Sequence, residues 1–205
     1  MARGERVAAF KPAVTGVDEP PADWPPDHHL LAAVANAGQS PEEVAPYRFG
    51  PAVSPDQAAE LAGVAVEPDR ILSAAARAAA SADVLVVEGV GGVLVPLSAT
   101  YLVRDLAVEL ELPIVIASRP GLGTINHTLL TVEALRAVGL EVSEIVLTPW
   151  HEPATRLERA NHRSLERLSG LAVTGLPYAS TRSLAAAGEV LASTAAVAEA
   201  PLANA

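Results

Sequence analysis

Short aliphatic runs recur along the chain, and between them lie longer stretches rich in Ala, Leu and Arg. Residues 6–10, 84–88, 114–118, 144–148 and 172–176 are rich in Val, Ile, Leu and Ala and predict buried strands, with 93–96 a shorter candidate. Residues 67–81, 100–110, 124–138 and 155–169 are rich in Ala, Leu and Arg and predict helices, and Gly139 and Gly170 stand where two of these would end. Buried strands alternating with helices predict an α/β fold built on a doubly wound, mostly parallel sheet. Ligands in such sheets bind beyond the C-terminal strand ends, so the residues just after each strand carry the chemistry. Residues 17–26 and 41–55 are rich in Pro and read as irregular excursions. Residues 185–205 are Ala-rich with few large apolar groups and read as a fraying tail.

Composition narrows the classes. With 205 residues one well-buried domain spanning 1–205 is expected. Half the residues are hydrophobic but only 3% are aromatic, so the core must be built from Ala, Val, Leu and Ile. The net charge of −10 argues against a nucleic-acid partner or an acidic membrane surface. An anionic ligand would need a local device: a helix N-terminus, a glycine loop, a metal ion or a lysine. The chain has no cysteine, which excludes disulfides, thiolate zinc sites and a cysteine nucleophile. No apolar run approaches the ~18 residues needed to span a bilayer. Arg3, Glu5, Arg6 and Lys11 break up any signal-peptide core, so a cytoplasmic enzyme or binding protein is the expectation.

Of the 14 basic residues one is lysine and 13 are arginine. Lys11 follows the first aliphatic run and precedes a Pro/Gly turn, in Phe-Lys-Pro-Ala-Val-Thr-Gly at 10–16, where a strand end would put its ammonium into a ligand site. Glu88 ends the run 84–88 and is followed by Gly89, Val90, Gly91 and Gly92. An acid beside glycines at a strand end suits a Mg²⁺ ligand next to phosphate-binding backbone N–H groups; a tight turn with Glu88 in solvent is the other reading. Asp27, after Pro25-Pro26, opens a helix-like stretch as a second metal carboxylate or as an N-cap. His28 and His29 are adjacent and cannot share a helix face, which disfavours a zinc site; His151 and His162 have no partner at ligand spacing and read as surface residues. The segment Arg-Pro-Gly-Leu-Gly-Thr-Ile-Asn-His-Thr at 119–128 offers Thr124 as an N-cap and open first-turn N–H groups, suited to a carboxylate or to nothing more than a capped loop.

Three segments in order, 10–16, Val-Glu-Gly-Val-Gly-Gly-Val-Leu-Val-Pro-Leu at 87–97, and 119–128, together with Tyr47, Ser54-Pro55 and Gly-Leu-Pro-Tyr at 175–178, resemble the dethiobiotin synthetases. The resemblance runs from residue 7 to about 191. It implies a P-loop NTPase-like three-layer sandwich. It also implies an ATP- and Mg²⁺-dependent ring closure of 7,8-diaminononanoate with CO₂, through a carbamate and a carbamic-phosphoric anhydride, in a homodimer. Carried over by position, Lys11 lies near the carbamate and γ-phosphate, where a fixed cation stabilises developing charge. Thr15 lies on the substrate side, Asp27 and Glu88 are the Mg²⁺ acids, and Gly89, Val90 and Gly91 line nucleotide and substrate. Gly121, Leu122, Gly123, Thr124 and Asn126 receive the substrate carboxylate across a dimer interface. Leu176, Pro177 and Tyr178 contact the adenine side.

The sequence departs from that pattern twice. The family opens with a strand, a Gly-Thr-x-Thr-x-x-Gly-Lys-Thr/Ser loop and a helix, yet only ten residues precede Lys11. This predicts an N-terminally incomplete chain, two exposed strand edges and poor ATP turnover. Thr148 stands where the family has an adenine-reading Asn, and a hydroxyl cannot supply the paired donor and acceptor of an amide. Two other readings stay open: a module without phosphate loop that binds ligand or partners a dimer, and a related cobyrinate-type amide ligase domain.

Overall fold

The computed structural model describes residues 4–20, 24–180, 183–184 and 187–189. Most of the Ala-rich 185–205 segment lies outside these. Backbone contacts group the chain into two units, Met1–Leu110 and Glu111–Ala205.

In the first unit, β1 (Val7–Phe10) runs parallel to β4 (Val84–Val87), pairing Val7 with Val84 through Phe10 with Val87. Helix α4 (Pro68–Ala80) packs on both strands. It buries Ile71, Ala74, Ala75 and Ala78, one stripe at helical spacing, while Arg77 in its last turn complements the helix dipole. The alanines explain how a chain with few aromatics closes its core, since small side chains let the helix approach the strands. Phe10, Ile71 and Leu97 are fully enclosed.

Among the described residues the outer edge of β1 is closed by side chains and not by a strand. The Gln39 side-chain amide accepts from Ala9 N at 2.8 Å and donates to Ala9 O at 2.9 Å. Asn36 Oδ1 accepts from Val7 N at 2.5 Å, and Val7 O accepts from Asn36 N and Ala37 N. These amides follow α1 (Asp27–Val34). They precede α2 (Pro41–Val44), whose Ser40–Glu43 capping box fixes its start. The second edge of β4 has no strand partner among the described residues, and Val86 there is 52% exposed.

The 41–55 excursion is more ordered than expected. It contains α2 and β3 (Tyr47–Arg48), which pairs in parallel with β2 (Ala13–Val14) and leads into α3 (Pro55–Ala62). Tyr47 is buried, its hydroxyl accepts from Glu67 N, and Arg70 lies over its ring at 4.6 Å. The expected strand at 93–96 is displaced: β5 (Pro96–Ser98) pairs antiparallel with β6 (Tyr101–Leu102). Helix α5 (Val103–Leu110) therefore starts later than residue 100, with Asp105 accepting from Leu102 N.

The second unit holds three parallel strands in the order β7 (Ile114–Ser118), β8 (Val142–Trp150), β9 (Ala172–Pro177). Helix α6 (Thr124–Arg136) crosses from β7 to β8, and α7 (Arg156–Ser169) from β8 to β9. Among the described residues β7 pairs with β8 alone, and Val115 is 53% exposed. Gly170 ends α7 in the left-handed region as expected, whereas α6 ends at Ala137, so Gly139 lies two residues beyond the cap. Among the described residues no helix is long and apolar enough to cross a membrane.

The start of α7 is a closed set of polar contacts. Thr155 and Glu158 cap each other reciprocally, and Nδ1 of His151 meets the same Glu158 carboxylate. The His151 contact, then the Thr155 N–H, holds the Glu158 carboxyl below its ordinary range. A depressed native pKa contributes stability above the unfolded pKa and loses it as pH falls through the native one. Thermal melts should therefore show a falling midpoint between about pH 5 and pH 3. Glu158→Gln, which can still serve the capping box, should flatten that acid limb; an unchanged profile would refute the assignment.

Candidate active site

The β1–β4 register assembles the first site. Because Phe10 pairs with Val87, the next residues, Lys11 and Glu88, emerge side by side at the C-terminal ends of two parallel strands. Two backbone bonds continue the alignment: Glu88 N donates to Phe10 O at 2.9 Å, and Lys11 N donates to Val44 O at 2.9 Å. Lys11 Nζ lies 2.5 Å from Glu88 Oε1 and 2.9 Å from Asp27 Oδ2, and donates to Gly89 O at 3.3 Å. The lysine side chain is 6% exposed, whereas Asp27 and Glu88 are 55% and 49% exposed. An ammonium so deeply enclosed requires anionic partners, and it has two.

Asp27 is the first residue of α1, with Pro26 in the cap position, so its carboxylate is turned to Lys11 and not to capping. Glu88 is likewise engaged, and does not merely face solvent. Of the glycines beside it, Gly91 sits at φ 66°. The turn there requires glycine, so the tight-turn reading holds at Gly91 while Glu88 is paired with Lys11. Val90 packs partly against the core, and the loop is pinned to α5 by Val103 N to Val95 O and Arg104 N to Val93 O. Thr15 follows β2 and is half-buried; Gly16 N beside it donates to Pro51 O.

His28 is buried, and its ring meets that of His29 at 4.4 Å, tilted by 57°. Burial first, then the neighbouring His29, keeps His28 below the ordinary imidazole range. Among the described residues no three His, Cys, Asp or Glu side chains converge as a metal cage. Two carboxylates held 2.9 and 2.5 Å from one ammonium nitrogen are nonetheless within reach of a single cation. That donor set fits Mg²⁺, which takes one or two protein carboxylates and fills its remaining positions with water and phosphate.

The second unit carries the other candidates. Gly123, and not Thr124, occupies the N-cap of α6. Thr124 is turned inward, 3.2 Å from the Thr128 hydroxyl, which meets the Ser118 hydroxyl at 2.8 Å. The Thr128 hydroxyl therefore ties the helix to β7, and Thr124 joins that link from one turn earlier. Asn126 is exposed, and Leu122 is 93% exposed at the loop tip. The loop is held from α7: the buried Asn161 amide donates to Pro120 O at 2.8 Å and to Gly121 O at 3.0 Å. Asn161 was not singled out in the sequence. Its signal is a polar residue in the buried stripe of α7, with Glu158, Leu165 and Ser169.

At the ends of β8 and β9, pairing of Leu147 with Gly175 and of Trp150 with Pro177 sets Thr148 beside Leu176 and Pro177. Tyr178 follows, 66% exposed. A Cβ at Gly175 would lie 2.6 Å from the Trp150 ring, so glycine there makes room for the indole. Trp150, Arg159, His162 and Arg163 line a cavity of about 210 Å³. His162 is not the plain surface residue expected: it packs against Trp150 and lies 3.3 Å from Glu166.

Removing the loop strut should be measurable. We expect Asn161→Ala to lower stability by about 1–3 kcal/mol through two lost hydrogen bonds. Asn161→Asp should cost more, because a carboxylate would face two carbonyl oxygens. Denaturant titration of both variants checks the order, and wild-type stability in either would refute the strut.

A family profile described as an AAA domain matches residues 1–181. The chain is 34% identical over 170 residues to the ATP-dependent dethiobiotin synthetase BioD of Bacillus subtilis (strain 168), covering 83% of this chain and 73% of that protein. To the protein of the same name from Anaeromyxobacter dehalogenans (strain 2CP-1) it is 40% identical over 180 residues, covering 86% and 78%. With its counterpart in strain 2CP-C it shares 38% over 194 residues, covering 93% and 86%.

Proposed function

The chain belongs to the dethiobiotin synthetase family, and from that membership we propose that it serves biotin biosynthesis as an ATP-dependent ligase. It would close the ureido ring of dethiobiotin on 7,8-diaminononanoate and CO₂ in the cytoplasm. The observation that carries the proposal is the Lys11 ammonium between Asp27 and Glu88 at paired strand ends. In this reading one substrate amine takes up CO₂ as a carbamate, the carbamate oxygen attacks the γ-phosphate, and the second amine displaces phosphate from the mixed anhydride to close the ring. Lys11 supplies the fixed cation facing the charge that develops on the transferred phosphoryl group. Asp27 and Glu88 would hold Mg²⁺, which when bound supplies charge neutralisation on the phosphates. Gly89, Val90 and Gly91 would line nucleotide and substrate, with Thr15 on the substrate side.

In the second unit, Gly121 to Asn126 would receive the substrate carboxylate from a second copy of the chain in a homodimer. Leu122, 93% exposed at the loop tip, would lie at that interface. Thr124 would contribute through the fold of that loop, since its hydroxyl is engaged with Thr128. Thr148, Leu176, Pro177 and Tyr178 would lie on the adenine side, with base selectivity relaxed by the hydroxyl of Thr148.

These 205 residues contain one lysine and no Gly-x-x-x-x-Gly-Lys segment. Three charge-assisted phosphate bonds missing at roughly 1.5–3 kcal/mol each would amount to several powers of ten in rate. Incubation of the 205-residue protein with 7,8-diaminononanoate, ¹³C-bicarbonate and MgATP should give labelled dethiobiotin slowly, and Lys11→Met should abolish it. Full-rate turnover would refute the phosphate argument. Calorimetric binding of the diamine without any product would favour the ligand-binding module. Sedimentation of Leu122→Asp should shift the protein from dimer to monomer; a wild-type monomer would refute the homodimer.

A further inference from the structure

The Lys11 ammonium is in direct contact with the same two carboxylates that are the best metal acceptors in the first unit. Its main chain is anchored through the Val44 carbonyl, and its side chain is enclosed, so it approaches the pair from the protein side. The carboxylates are about half exposed, so a dissolved cation reaches them from the solvent side. A divalent ion and an ammonium sharing one pair of carboxylates repel each other at contact range, in a site shielded from solvent on one side. Resting on the reading of Asp27 and Glu88 given above, we infer that Lys11 is the resident counter-ion of this pair and competes with the divalent cation for it. The free protein then holds metal weakly. The cation is retained only once another anion, such as a polyphosphate, joins the site and draws the ammonium away from the carboxylates. Lys11 in this role is a positioning residue that sets the order of binding, apart from any contact it makes with reacting atoms.

The lone lysine makes the idea testable in the unaltered protein. A sample grown on ¹³Cε-lysine gives one lysine resonance, and it belongs to Lys11. Titration with Mg²⁺, without nucleotide, should move that resonance along the curve of metal occupancy. In parallel, free Mn²⁺ counted by electron paramagnetic resonance should show Lys11→Met binding at least about tenfold tighter than wild type, because the competing cation is gone. Lys11→Arg, which keeps the charge, should stay near wild type, and Glu88→Gln added to Lys11→Met should cancel the gain. Circular dichroism establishes that each variant is folded; if Lys11→Met is not, the resonance in the wild-type protein decides alone. A lysine signal that stays fixed while metal binds, or equal Mn²⁺ affinity in wild type and Lys11→Met, overturns the competition. If Glu88→Gln still weakens binding in that case, the metal site itself stands. Absence of Mn²⁺ binding in every variant overturns both.

Discussion

Everything in the first unit follows from the parallel register of β1 and β4. Register fixes which residues leave the sheet together, and here it sends a lysine and a glutamate out of adjacent strand ends. The ammonium is enclosed, so its charge is tolerable only with anionic neighbours. Glu88 comes from the register itself, and Asp27 from the first turn of α1. A slip of one residue would send Lys11 to the opposite face of the sheet and leave both acids without their cation. The site is thus a consequence of strand pairing more than of loop conformation.

The same pairing explains the alanine-rich helix beneath it. A long α4 crossing two short strands buries its stripe only if the side chains are small, and Ala74, Ala75 and Ala78 provide that closeness, with Ile71 as the larger anchor. The chain's poverty in aromatics is offset by close approach. At two of the aromatics, Tyr47 and Trp150, polar or glycine neighbours are shaped around the ring: Glu67 N and Arg70 at the first, Gly175 at the second.

Much of this was legible in the sequence. The five long aliphatic runs are strands within a few residues of their expected bounds, because buried parallel strands leave a continuous apolar signature. The strand-end and helix-start positions of Lys11, Glu88 and Asp27 were legible, although their ion pairing was not. What was missed depended on contacts between distant residues. The short strands β2, β3, β5 and β6 are too brief for a period to register. Gly123 displaced Thr124 as the cap because the Thr128 hydroxyl, itself bonded to Ser118, offered the Thr124 hydroxyl a partner inside. The place of Asn161 in the buried stripe of α7 does not give its role, because a polar residue on a helix becomes a strut only when a loop 40 residues away presents its carbonyls.

The amides of Asn36 and Gln39 have a consequence for how the first sheet can grow. By imitating a neighbouring strand in two places, they satisfy the outer rim of β1 and give it the chemistry of a finished border. The opposite rim, on β4, keeps its hydrogen-bonding row and the half-bare Val86. Among the described residues, then, this small sheet is polarised: closed on one flank by side chains and extensible on the other. Any strand that extends it is directed to the flank beside Glu88, where its own end would border the ammonium and its two acids.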